Sequence, residues 1–407
     1  MTGGIVNIMS ADWARTLVDP AAFEDEQACL GQVWTFLGLT SDLANDGDWF
    51  RATLAARSVF VQRFGDDLVG FENRCAHRSY PLRNADRGNG PIVCGFHHWR
   101  YNKSGRAVGI PLCTELFGAT PRELNAQLIP VEIATCGAMI FGRFRGEGAT
   151  ESLEDHLDLA FPILRSMSNP AIRPAFITRS VRANWRLCFH ASVDDYHIVA
   201  VHPTTVGKAG YIHRDQISYF RYGLHSAYFA TAQADALADM ARACREGVWR
   251  SEHYRVFHLF PNLAVVHFQA DGERWYIAAL QYAPLAMDRS QMRVWIYPAP
   301  FPANAAWHDR WTRPFTDPVR EMIVRRSVNR ILSEDNEVCE RQQSIASQMR
   351  GSVPILGALE ERLAWFEEAY ARTMTKKHGV RDGGGNRRQP MTAAITAGLD
   401  VAHPETL

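Results

Sequence analysis

The chain has 407 residues, 46% hydrophobic and 22% charged, with 44 Lys and Arg against 44 Asp and Glu. This is a globular composition large enough for two or three domains, and its zero net charge excludes nucleic acid and acidic membrane surfaces as expected partners. Eight cysteines scattered between positions 29 and 339 exclude a dense secreted disulfide scaffold, and with no basic-then-apolar leader and no 18-residue apolar run the chain is predicted to be cytoplasmic and not membrane-bound.

In chain order, residues 17–30 are predicted helical and Gln32–Leu37 a strand. From about 48 to 145 the runs Ser58–Phe64, Leu68–Glu72, Pro91–Val93 and Gly137–Phe144 are broken by Gly, Asn, Asp and Pro, which predicts a small all-β domain. From about 150, a helix near 184–202 precedes strand-like Tyr254–Phe260, Ala264–Phe268, Trp275–Tyr282 and Met292–Tyr297. Two helices follow, Pro318–Met349 and Leu359–Thr375. Strands gathered between helices predict an α+β domain with helices lying across an antiparallel sheet. The expected division is an N-terminal helical segment (1–30) packing on the α+β domain, a β domain (31–146), that α+β domain (147–375) and a flexible tail (376–407), where Gly383-Gly-Gly385 lies among basic residues.

Two phrases in the β region, Cys75-Ala-His77 and Cys94-Gly-Phe-His97, each pair one thiolate with one imidazole and have 16 residues between them. That donor mix suits a Cys2His2 zinc ion or a two-iron cluster in which two His replace two Cys on one iron. A structural zinc is of little use to a chain that can build a full core. Asn73-Arg-Cys75-Ala-His77-Arg-Ser-Tyr-Pro-Leu82 and Cys94-Gly-Phe-His97-His-Trp-Arg-Tyr101 resemble the cluster-binding loops of Rieske non-haem iron oxygenases. The resemblance implies a [2Fe–2S] cluster with Cys75 and Cys94 on one iron and His77 and His97 on the other. The family usually has Gly where His98 stands, and His98 is expected to face solvent.

Further on, Asn184–Pro203 contains Asp194, His197 and His202. Asp194 and His197, three apart, would share a helix face. His202 lies about 140° round the helix from His197, but Pro203 biases it out of α geometry, so the two imidazoles could converge. A third ligand should be a distant carboxylate. Asp335 is the candidate, because Val328, Ile331, Leu332, Val338 and Cys339 place it within an apolar stripe where its charge needs a metal or an arginine. Two His and one carboxylate with open positions form the facial triad of non-haem Fe(II) oxygenases.

Asn184–His202 is also similar to the catalytic helix of the Rieske oxygenases, and Glu334-Asp335-Asn-Glu-Val-Cys-Glu340-Arg-Gln-Gln343 to their C-terminal ligand motif. The resemblance implies that His197, His202 and Asp335 hold a mononuclear Fe(II). It also implies that Asp194 bridges a ligand His to a cluster His of the neighbouring subunit. Asp195 reads as a helix-surface residue. His190-Ala191 departs from the acidic residue and Asn common in the family, and His190 reads as a pocket contact. Other pocket groups are expected between 205 and 300, among them Lys208, His213, His258 and Gln269.

The fold implied is an N-terminal Rieske domain followed by a helix-grip, START-like catalytic domain. The activity implied is hydroxylation of an aromatic substrate, an aromatic acid or related ring, with O2. Electrons would come from NAD(P)H through a separate reductase, with or without a ferredoxin, in a homotrimer or an α3β3 assembly. A Rieske monooxygenase acting on O- or N-methyl groups or quaternary ammonium compounds is the alternative. A non-catalytic electron carrier is a third reading, for which the second ligand set has no use. No Gly-x-Gly-x-x-Gly turn suggests a built-in dinucleotide domain.

Overall fold

A computed structural model describes residues 9, 12–146, 150–168, 173–206, 214–231, 233–270, 274–300 and 309–381. The N-terminal β region is a seven-stranded antiparallel sheet. Its spatial order is Thr35–Leu39, Met139–Arg143, Pro130–Cys136, Asp67–Glu72, Arg57–Phe64, Asp48–Leu54 and Arg87–Asn89. A three-stranded sheet, Ile92–Val93, Arg100–Tyr101 and Ala107–Gly109, stands beside it. Asp48–Leu54 is a strand beyond those its sequence predicts, and its hairpin explains why. Leu54 pairs with Arg57 across Ala55-Ala56, and both alanines take positive φ (49° and 56°), positions usually given to Asn or Gly. Packing sets this turn, since both alanines lie against the core cluster that holds Trp185 and Phe189.

The C-terminal region is built on a second seven-stranded antiparallel sheet. Its order is Ala175–Val181, Arg289–Pro298, Trp275–Ala286, Leu263–Gln269, Arg255–Leu259, His225–Phe229 and Ser218–Tyr222. Side chains alternate between its faces with period two. Tyr276, Ala278, Leu280, Tyr282, Met292, Val294 and Ile296 pack on the helices Trp185–Val193, Asp309–Ser344 and Glu361–Arg381. Ile277, Ala279, Trp295 and Tyr297 pack on Leu153–Leu157, Ala160–Met167, Ala236–Arg245 and the strand Thr35–Leu39. Both faces being covered, the central strands are apolar almost throughout.

Several sequence expectations shift. The first helix divides into a 3-10 turn, Arg15–Leu17, and Pro20–Leu30, capped by Asp19. The first strand begins at Thr35 rather than Gln32. The single helix near 184–202 is two, Trp185–Val193 and Ile198–Val201, parted by an extended residue at Asp194. The long helix is Asp309–Ser344, displaced toward the N-terminus from Pro318–Met349. The last helix runs through Arg381, beyond Thr375 and into the expected tail, whose residues from 382 lie outside the described ones.

Candidate metal centres

The two Cys/His loops share one backbone plan despite different spacing. The Cys75 N–H donates to Tyr80 O and that of Cys94 to Trp99 O, while Ser79 N–H and His98 N–H return to Cys75 O and Cys94 O. Each turn closes on a residue with positive φ, Ser79 at 56° and His98 at 58°. His98 is exposed, as expected. The left-handed backbone explains why glycine suits that position. Both thiols are buried, and the His77 and His97 rings meet at 4.7 Å. Trp99 stacks on His77, 4.7 Å away and 3° from parallel.

The donors fit a metal cluster. Nδ1 of His77 and Nδ1 of His97 are buried and lack a hydrogen-bond partner among the described residues, which is costly unless a cation takes each lone pair. Burial, the His97 ring and Arg78 all favour neutral His77. Burial pushes the Cys94 thiol up, against backbone N–H groups of Phe96 and His97 that favour the thiolate. The Tyr101 hydroxyl lies 3.0 Å from Cys75 Sγ, where it can donate to the sulfur. All eight cysteines are free.

The second site forms where Trp185–Val193 ends. Asp194 leaves the helix (ψ 119°), and its Oδ1 accepts from the N–H groups of Tyr196, at 2.7 Å, and His197, at 3.3 Å. Its proximity to His197 therefore comes from this turn and not from a shared helix face. Ile198–Val201 follows, and His202 closes it in a non-helical conformation (ψ 45°), the break that Pro203 predicts. Asp335 reaches in from Asp309–Ser344. Its Oδ1 lies 2.9 Å from His202 Nε2 and 3.3 Å from His197 Nε2, and the two nitrogens are 3.3 Å apart. Metal bonds of about 2.1 Å at near right angles put neighbouring donors about 3 Å apart, so the three atoms fit one face around an ion. No arginine pairs with Asp335 among the described residues, and its Oδ1 has no hydrogen bond of good geometry there. Burial opposes its ionisation, but the two imidazoles hold its pKa below the ordinary value. Burial would likewise lower His197, which Asp194 and Asp335 instead raise to about 10.

Other expected residues fall differently. Asp195 is no surface residue: Arg362, itself buried, makes two 2.8 Å bonds to its carboxylate. Arg362 also donates to His258 Nδ1 at 2.7 Å, leaving His258 Nε2 to donate to Ser192 Oγ at 2.9 Å. Burial and Arg362 hold His258 neutral within this network, and its ring also lines a small cavity with Phe189, Val193, Phe260 and Phe366. His190 is buried with Nε2 2.7 Å from Glu367, which also pairs with Arg186, so its visible role is structural rather than a pocket contact. Lys208 and His213 lie outside the described residues. Sequence reasoning gave no role to Glu334, Arg362 or Glu367. Only Glu334 left a signal, by standing next to Asp335.

A β domain with paired Cys/His loops ahead of an α+β domain with a two-His, one-carboxylate triad defines a class of two-centre metalloprotein. The sequence matches the Rieske [2Fe-2S] domain over residues 33–123 and the ring hydroxylating alpha subunit (catalytic domain) over 153–376. The latter match spans more than half of the chain, which belongs to that family. It is 29% identical over 198 residues to terephthalate 1,2-dioxygenase terminal oxygenase component subunit alpha 2 of Comamonas sp, covering 44% of this chain and 45% of that one. Against the anthranilate 1,2-dioxygenase large subunit of Burkholderia cepacia it is 27% identical over 225 residues, 52% of each. The chain thus matches about half the length of these relatives. Among solved structures, naphthalene 1,2-dioxygenase from Rhodococcus sp. superposes with TM-score 0.68 at 19% identity, over 89% of this chain and 93% of that one. The quaternary ammonium Rieske monooxygenase CntA with γ-butyrobetaine gives 0.63 at 16% identity, over 91% and 100%. These two show a shared fold.

Proposed function

We propose that the chain is the terminal oxygenase component of a multi-component system that hydroxylates an aromatic substrate, an aromatic acid or related ring. Cys75 and Cys94 would hold one iron of a [2Fe–2S] cluster, and His77 and His97 the other. His197, His202 and Asp335 would hold one Fe(II). When bound, the cluster supplies single electrons and the ferrous ion supplies a site for O2 beside the substrate. The supporting observation is the convergence of two Nε2 atoms and one carboxylate oxygen within 3.3 Å, an arrangement an electron carrier does not need.

The chain's own groups divide the work. Asp194 is held in a turn beside His197, its Oδ2 3.6 Å from Nδ1, with Tyr196 exposed next to it. That carboxylate is the proposed link to a cluster histidine of a neighbouring subunit in a trimer. Phe96 (50% exposed), Phe117 and Tyr80 form an apolar rim around the cluster loops and give the neighbour a surface to meet. Electrons would come from NAD(P)H through a separate reductase, with or without a ferredoxin. No described helix is long and apolar enough to cross a membrane.

The test is anaerobic purification with metal and sulfide analysis, then O2 uptake with a reductase against aromatic acids, aromatic amines and trimethylammonium compounds. About three irons and two sulfides per chain, with uptake driven by an aromatic acid, are expected. Zinc alone, or two irons with no ferrous site, would end this reading. Uptake driven only by trimethylammonium compounds would move the substrate to the quaternary ammonium class.

A further inference from the structure

Two consecutive carboxylates on helix Asp309–Ser344 grip opposite nitrogens of one imidazole. Asp335 Oδ1 stands 2.9 Å from His202 Nε2, and Glu334 Oε2 stands 2.8 Å from His202 Nδ1. Successive helical residues point about 100° apart, so a side chain lying between them can meet both. A carboxylate accepts and does not donate, so the proton on that side belongs to Nδ1 and the Nε2 lone pair faces the metal position. His197 is held less closely: Asp194 Oδ2 stands 3.6 Å from its Nδ1, beyond hydrogen-bond distance, and no other described residue bonds that nitrogen.

Glu334 is itself held in place. Thr205 Oγ1 donates to Oε2 at 3.4 Å, and Arg330 Nε, one helical turn away, lies 3.4 Å from Oε1. Arg330 Nη2 also donates to Thr204 Oγ1 at 2.9 Å. The helix and the turn after Pro203 are thereby cross-linked on the far side of His202 from the metal position.

We infer that Glu334 is a positioning residue that fixes the orientation and tautomer of His202 and strengthens it as a ligand. This rests on reading His197, His202 and Asp335 as the mononuclear iron site. Partners of this kind typically contribute about 10- to 100-fold in metal affinity. The full-length protein, freed of its ferrous iron by a chelator under anaerobic conditions, is retitrated with Fe(II) while bound iron and the cluster's visible absorption are measured. Glu334→Ala should bind Fe(II) about 10- to 100-fold more weakly with the cluster absorption unchanged, and Glu334→Gln, whose amide oxygen still accepts from Nδ1, should fall between. The electron paramagnetic resonance signal of the ferrous–nitric oxide adduct should broaden in Glu334→Ala and sharpen again in Glu334→Gln. Wild-type affinity in Glu334→Ala overturns the inference. So does an equal loss in Arg330→Ala, which loosens the turn without removing the imidazole's partner. Asp335→Ala separates the two claims. If it too keeps its iron, the site reading fails and takes the inference with it, whereas loss there with wild-type binding in Glu334→Ala sinks the inference alone.

Discussion

Asp335 occupies a position where an ionised carboxylate is tolerated only with compensation, and its neighbours in space are two imidazoles and no arginine among the described residues. Replacing it with alanine removes one of three donors, so Asp335→Ala should keep the cluster's visible absorption and lose the mononuclear iron. Iron falling from about three to two per chain, with sulfide unchanged, is the check; unchanged iron would remove Asp335 from the ligand set. Asp194 stands beside the proposed ion position without entering it, since its Oδ1 is occupied by the turn and its Oδ2 faces His197. Asp194→Asn should therefore retain both metal centres yet block turnover. Near-normal single-turnover electron transfer in that variant would exclude the bridging role.

At the scale of elements, the break between Trp185–Val193 and Ile198–Val201 is what turns His197 and His202 toward one point, and buried charges hold it. Arg362, from the last helix, clamps Asp195 in that break and reaches Ser192 through His258. Arg362→Ala leaves a buried carboxylate unpaired and should cost about 3–5 kcal/mol in denaturant unfolding, with weakened iron retention at the triad. A second buried cluster joins the same helices. Arg186 pairs with Glu367, which also meets His190, while Glu26 accepts from Trp185 Nε1 and Tyr370 Oη. Burial alone would raise Glu367, but Arg186 and His190 hold it below its ordinary 4.5. Its contribution is thus fully present above the unfolded value and is lost as pH falls through the lower folded value. Burial raises Glu26 instead, so acidification relieves a cost there. The stability lost in Glu367→Gln should be largest near pH 7 and shrink below about pH 4.5, as urea unfolding across pH would report. A difference that does not vary with pH would mean Glu367 is not ionised in the fold.

For the whole molecule, the proposed route of electrons between chains has a direct consequence. A variant lacking a cluster ligand, His77→Ala, and one lacking a triad ligand, Asp335→Ala, should each be inactive alone. Co-assembled at random in a ring, about one junction in four joins an intact cluster to an intact triad on the next chain, so activity should return to roughly a quarter of wild type. Mixed assemblies that stay inactive would mean that both centres must be intact within one chain.

The sequence by itself determined the donors and the faces. Cys75, His77, Cys94 and His97 are close in sequence, so two short loops suffice to bring them together, and the near-continuous apolar run of Trp275–Tyr282 marks a strand covered on both faces. Asp335 was legible because a lone carboxylate in an apolar helical stripe is a local anomaly. Only the tertiary structure decided what depends on partners far away in the chain. Asp195 reads as solvated until Arg362, 167 residues on, is packed against it. His190 reads as a pocket contact until Glu367 is 2.7 Å away. Glu334 is one more helix-surface acid until the turn after Pro203 brings His202 Nδ1 to it. A buried charge takes its meaning from its counter-charge, and in this chain the counter-charges arrive with the last two helices.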